Sequence, residues 1–87
     1  MENKIEALRN RKEIRDAYDI EFLLRQGVEF PENPDFANAV LRVIKKFTGN
    51  DFNVKLGSLL PLESREYYRR NRFNYLKAHL QQKILTY

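Results

Sequence analysis

The chain has no cysteine. That excludes disulfides and thiolate zinc sites, and it makes an intracellular, cytoplasmic protein the easier reading. Its one histidine, His79, argues against an imidazole-rich metal site and against a Ser-His-Asp triad assembled within the chain. Apolar runs stay well short of the roughly 18 residues that a membrane helix needs, and no charged-then-apolar leader opens the sequence, so neither a span nor a signal peptide is expected. Glycine is equally sparse: Gly27, Gly49 and Gly57 each fall where an apolar pattern stops, and each reads as a break or a helix end. What remains, at 87 residues, is one small domain with a core that is feasible without staples.

The net charge of +4 is unevenly placed. Residues 1–60 balance acid against base, whereas residues 61–87 carry Arg65, Arg69, Arg70, Arg72, Lys77 and Lys83 against Glu63 and Glu66. The excess therefore sits at the C-terminal end, which permits contact with phosphate or with an acidic partner.

The densest set of paired charges on an apolar frame lies in Lys4–Gly27. Ile5 and Leu8 form a short apolar edge, and Ile14, Ala17, Tyr18, Leu23 and Leu24 recur at spacings of three to five, with Ile20 and Phe22 nearby. This is helical periodicity. A break near Asn10 is expected, with Asn10 as N-cap and Glu13 completing a capping box, and Gly27 ends the second helix. On one continuous helix face Lys12–Asp16 and Arg15–Asp19 would be i,i+4 ion pairs. Two readings stand: a solvated face, or packed carboxylates at Asp16 and Asp19 that require partners or a task.

Residues 28–34 contain two prolines and no helical period, so they read as an extended loop that Val28 and Phe30 pin to the core. A further helix runs from Pro34 or Asp35 to Thr48, capped by Asn33, striped by Phe36, Ala37, Val40, Leu41, Ile44 and Phe47, and ended by Gly49. Arg42, Lys45 and Lys46 suit its C-terminal dipole. Asp51–Leu56 alternates Phe52, Val54 and Leu56 with polar residues, the pattern of an extended piece, although a single helical turn fits as well. After Gly57-Ser58 and Leu59-Leu60-Pro61, a last helix from Leu62 to about Leu85 has the stripe Phe73, Leu76, Leu80, Ile84 and Tyr87. Its first turns interleave basic and aromatic residues over 64–73. That mixture either holds phosphates and stacks bases or is an amphipathic helix with its polar tips in water. His79, near the apolar side, reads as a packed or capping residue. The fold class is all-α: a bundle of three to four helices with an irregular connector around residues 50–61.

The run Lys4-Ile5-x-Ala7-Leu8-x-x-Arg11-x-x-x-Arg15-Asp16-x-Tyr18-Asp19-Ile20-x-Phe22-Leu23-Leu24 resembles the C-terminal motif region of the AbiEii/AbiGii nucleotidyltransferases, many of them toxins of type IV toxin–antitoxin systems. Lys55-Leu56-Gly57-Ser58-Leu59-Leu60, followed by the Tyr-rich helix with Phe73 and Leu76, is similar to the tail after that motif. The resemblance implies that Lys4 contacts nucleotide phosphates, that Asp19 is the catalytic or site-organising carboxylate, and that Arg15 and Asp16 support them. It also implies Mg²⁺ and a nucleoside triphosphate for a complete family member. The family's G-S turn and its D-x-D metal pair lie upstream of the motif and do not occur before Lys4; Gly57-Ser58 falls after it and has no D-x-D behind it. Two-metal phosphoryl transfer needs those carboxylates. The expectation is thus a truncated C-terminal helical module that does not catalyse alone, with a separate nucleotidyltransferase domain or an antitoxin as partner. Two other readings come from different classes: a small module binding RNA or an acidic protein through Arg65, Arg69, Arg70 and Arg72, and a ligand-free homo-oligomer burying the exposed apolar face.

Overall fold

In the computed structural model, which describes residues 1–85, the α-helices are α1 (Glu2–Arg11), α2 (Ile14–Arg25), α3 (Pro34–Lys45), α4 (Leu62–Asn71) and α5 (Asn74–Leu85). A π-helical turn at Asp51–Leu56 and a 3₁₀ turn at Gly57–Leu59 join α3 to α4. No strand occurs among the described residues, so the fold is all-α, as the periodicities imply. The position assigned to Tyr87 in the last stripe lies outside the described residues.

The N-terminal stretch breaks, but two residues beyond Asn10. Lys12 takes the left-handed conformation at φ 57° and donates its backbone N–H to Leu8 O at 2.8 Å, which ends α1. Asn10 therefore lies inside α1. Glu13, not Asn10, precedes α2, and its side chain makes no capping bond, so the expected capping box is absent. The shifted break folds α1 back on α2 and buries Ile5 and Leu8 with Ile14, Ala17, Ile20 and Leu24. At the other end of α2, Gly27 at φ 90° closes a complete Schellman motif: its N–H meets Leu24 O at 3.1 Å and Val28 N–H meets Leu23 O at 3.0 Å. Phe30 then pins the loop to the core, while Val28 stays partly exposed.

Asn33 caps α3 as its spacing implies, its Oδ1 accepting from Asp35 N–H at 2.9 Å with Pro34 in the first turn. The helix stops at Lys45, short of Gly49, because a competing start lies just ahead. Thr48 N–H donates to Asp51 Oδ2 at 2.8 Å, and Asp51 N–H donates back to Thr48 Oγ1 at 3.4 Å. This is a reciprocal capping box, and it opens a new helical segment. The Thr48 amide, foremost among its partners, holds the Asp51 carboxyl below the usual carboxylate range. Residues 51–56 are thus helical and not extended: Phe52 and Leu56, four apart, are buried, and Val54 between them is exposed. Gly57 is no break either. It is helical and buried, and a Cβ there would sit 3.3 Å from Phe52 O, so the position needs a small residue for close approach.

The last helix is two. Arg72 adopts φ 49°, ψ −127°, a corner that favours glycine, and separates α4 from α5. Phe73, fully buried beside Phe52, follows at the bend, and Leu76 and Leu80 continue the stripe into α5. α1 packs against α2 and α3, α3 against α5, and the π-helical turn against α2 and α4. The core runs through all of them, each large buried apolar side chain contributing about 1.5–3 kcal/mol.

Candidate functional site

Helix α2 carries three carboxylates, and the fold sends each to a partner off α2. Lys4 Nζ of α1 meets Asp19 Oδ2 at 3.0 Å, with both side chains partly in water. Arg11 Nη2, at the end of α1, meets Asp16 Oδ1 at 2.7 Å. The expected i,i+4 pairs do not form: the turn at Lys12 takes Lys12 off α2, and Arg15, four residues before Asp19 on the same helix, pairs with Glu13 instead, so α1 cations meet both carboxylates. Asp16 is only 1% exposed, and its Oδ2 has no hydrogen-bond partner among the described residues. It is the packed carboxylate of the two readings, whereas Asp19 is at the surface.

Of the residues that the resemblance singles out, Lys4, Asp19 and Asp16 lie along the α1–α2 seam. Arg15 points elsewhere: its Nη2 is 3.6 Å from Glu13 Oε2. It lines a cleft of about 420 Å³ with Arg11, Lys12, Glu13 and, from the π-helical turn, Asp51 and Lys55. Lys55 is tied to Asp51 at 3.3 Å there.

The C-terminal arginines have different partners. Arg65 Nε donates to Leu60 O at 2.8 Å and fastens the start of α4. Arg72 lies over the Phe52 ring at 5.1 Å, and Arg69 pairs with Glu66 at 2.7 Å. Arg70 is exposed and has no ion pair among the described residues. His79 rests on Tyr75, ring centroids 4.8 Å apart.

The carboxylate that sequence reasoning passed over is Glu21. It is fully buried; Oε1 accepts from Tyr68 Oη at 2.6 Å, and Oε2 accepts from Leu76 N–H at 3.1 Å. Leu76 is the third residue of α5, so Glu21 caps the first turn of α5 from α2, where a negative charge also complements the dipole. Burial first, and then this carboxylate, pushes the Tyr68 hydroxyl pKa far above the ordinary phenol value. A signal for Glu21 was present: it stands in the stripe Ile14–Ala17–Glu21–Leu24, where an apolar residue is the rule.

Among the described residues no three His, Cys, Asp or Glu side chains lie together in a way that could hold a metal ion. No helix among these residues is long and apolar enough to cross a membrane. Comparison with protein-family models, curated proteins and solved structures found no match to this chain.

Proposed function

We propose that this chain is the C-terminal helical module of an AbiEii-like nucleotidyltransferase, with Lys4 as phosphate ligand and Asp19 as the carboxylate beside it. One observation carries the reading: residues 15 positions apart and on different helices, both singled out by the resemblance, meet at 3.0 Å on accessible surface. Helical periodicity does not require that meeting. An ion pair so exposed contributes only about 0–1 kcal/mol, so Lys4 is released to a phosphate at little cost, and Asp19 is freed to orient a hydroxyl. The carboxylates that clamp Mg²⁺ in the family have no counterpart in these residues. Catalysis therefore requires them from another segment or chain.

The test is a titration with each nucleoside triphosphate and Mg²⁺, followed by amide NMR shifts on the wild type and on Lys4→Ala. Shifts centred on Lys4 and Asp19 that vanish in the variant are expected. Silence of both residues at millimolar nucleotide refutes the proposal.

A further inference from the structure

Between α2 and the Tyr-rich helix α4 lies a second cleft. It holds about 180 Å³ between α2 and α4, and Tyr18, Phe22, Arg25, Ser64, Tyr67 and Tyr68 line it. Tyr68 is committed to Glu21 and Tyr18 packs edge-on against it. Phe22 and Tyr67, by contrast, are 48% and 38% exposed, among the largest apolar side chains left in water. We infer that this cleft binds single-stranded nucleic acid, taking one unpaired base against the Phe22 and Tyr67 rings.

Three features select that occupant. The space suits one planar heterocycle and is far too small for a helix. A cationic ligand is disfavoured, because the Arg25 guanidinium already lies 5.0 Å from the Tyr67 ring centroid and donates to the Tyr67 hydroxyl. An anionic backbone is favoured: Arg70 stands one turn beyond Tyr67 on α4, exposed and without an ion pair among the described residues. Rings that take a base, with a free cation one turn away for its phosphate, are the two parts of sequence-tolerant single-strand recognition. From the basic-aromatic interleaving of 64–73, Tyr67 thus offers a ring and Arg70 a cation without an ion pair among the described residues, while Arg65 and Arg72 serve the fold.

This inference does not rest on the nucleotidyltransferase reading, and the experiment keeps them apart. Fluorescence anisotropy is measured with a labelled single-stranded oligonucleotide, with the same strand in a duplex, and with inorganic polyphosphate as competitor. Binding of the single strand is expected to weaken about 5- to 150-fold in Phe22→Ala and in Tyr67→Ala, the loss that accompanies one unstacked base. Tyr67→Phe, which keeps the ring, should bind as the wild type does. Arg70→Ala should flatten the salt dependence by about 0.7 in slope, one phosphate contact. Circular dichroism confirms that Phe22→Ala, altered at a half-exposed position, is folded. Absence of binding, equal affinity for duplex, full competition by polyphosphate, or a folded Phe22→Ala with unchanged affinity each overturns the proposal. So does a dimer that Phe22→Ala dissolves with no nucleic acid bound, which would give the rings to self-association.

Discussion

Replacing Glu21 with glutamine changes one atom and tests what its second carboxylate oxygen contributes through Tyr68. In the wild type both carboxylate oxygens accept, one from Tyr68 Oη at 2.6 Å and one from the Leu76 amide at 3.1 Å, in a site closed to water. A glutamine has one acceptor. The Leu76 N–H cannot turn away, so the amide oxygen must face it and the amide NH₂ must face Tyr68. The Tyr68 hydroxyl then accepts where it formerly donated, and its own proton is left in the core without a partner. Losing one charge-assisted bond of this kind costs about 1.5–3 kcal/mol. A domain of this size has only about 4–13 kcal/mol in total. For such a domain about 2 kcal/mol lowers Tm by roughly 8–16 °C. Thermal unfolding by circular dichroism reads the shift, and a cycle with Tyr68→Phe reads the coupling, expected at about 0.5–3 kcal/mol for groups in contact. A Glu21→Gln variant within about 2 °C of wild type, or additive with Tyr68→Phe, refutes the argument that the Glu21–Tyr68 bond stabilises the packing of α4 on α2.

Two further outcomes follow from the same region. The folded pKa of Tyr68 is raised, by burial first and then by Glu21, so the unfolded chain releases the phenol proton before the folded one does; stability from this group is complete below pH 10 and falls above it, by up to about 1.4 kcal/mol per pH unit. Urea titrations between pH 9 and about 11 should show that slope and its reduction in Tyr68→Phe; equal slopes in both proteins would sink the linkage. Arg72→Gly relieves a backbone conformation that costs a side-chain-bearing residue about 1–3 kcal/mol and gives up the guanidinium cover on Phe52, worth about 0.5–1 kcal/mol. A net rise in the urea midpoint is expected, and a fall would mean that the bend is held by the Arg72 side chain.

The elements legible in the sequence are those whose ends are decided locally. Gly27 terminates α2 through bonds to residues three and five back, and Asn33-Pro34 starts α3 through a bond two residues on. Local logic fails where two local signals compete or where the deciding partner is remote. The apolar stripe of α3 continues past Lys45 as far as Phe47, so the Thr48–Asp51 box that cuts it short is hidden inside an apparently continuous pattern. Alternation at Phe52, Val54 and Leu56 mimics a strand because the buried pair, four apart, also fits one helical turn. For α4 and α5 nothing in residues 62–85 forbids one helix. The bend is stabilised by a carboxylate 55 residues upstream of the amide that it caps.

The same distinction governs the candidate site. Lys4 and Asp19 could be nominated from a motif, but their meeting depends on where α1 stops. Had the chain broken at Asn10, Lys12 would lie on α2 and its i,i+4 pair with Asp16 would be available. With the turn at Lys12, Arg11 instead reaches the buried Asp16 at 2.7 Å. Only Asp16 of this pair is buried, the Arg11 side chain staying half in water, so the pair adds little net stability, but without Arg11 the buried Asp16 charge would be stranded. The Arg11–Asp16 pair therefore acts as a register pin between the helices. Asp19, three residues further along α2, is carried by that register to the α1 face where Lys4 projects. The Lys4–Asp19 pair is thus held in place by a contact in which Asp16 is buried and Arg11 reaches in from water.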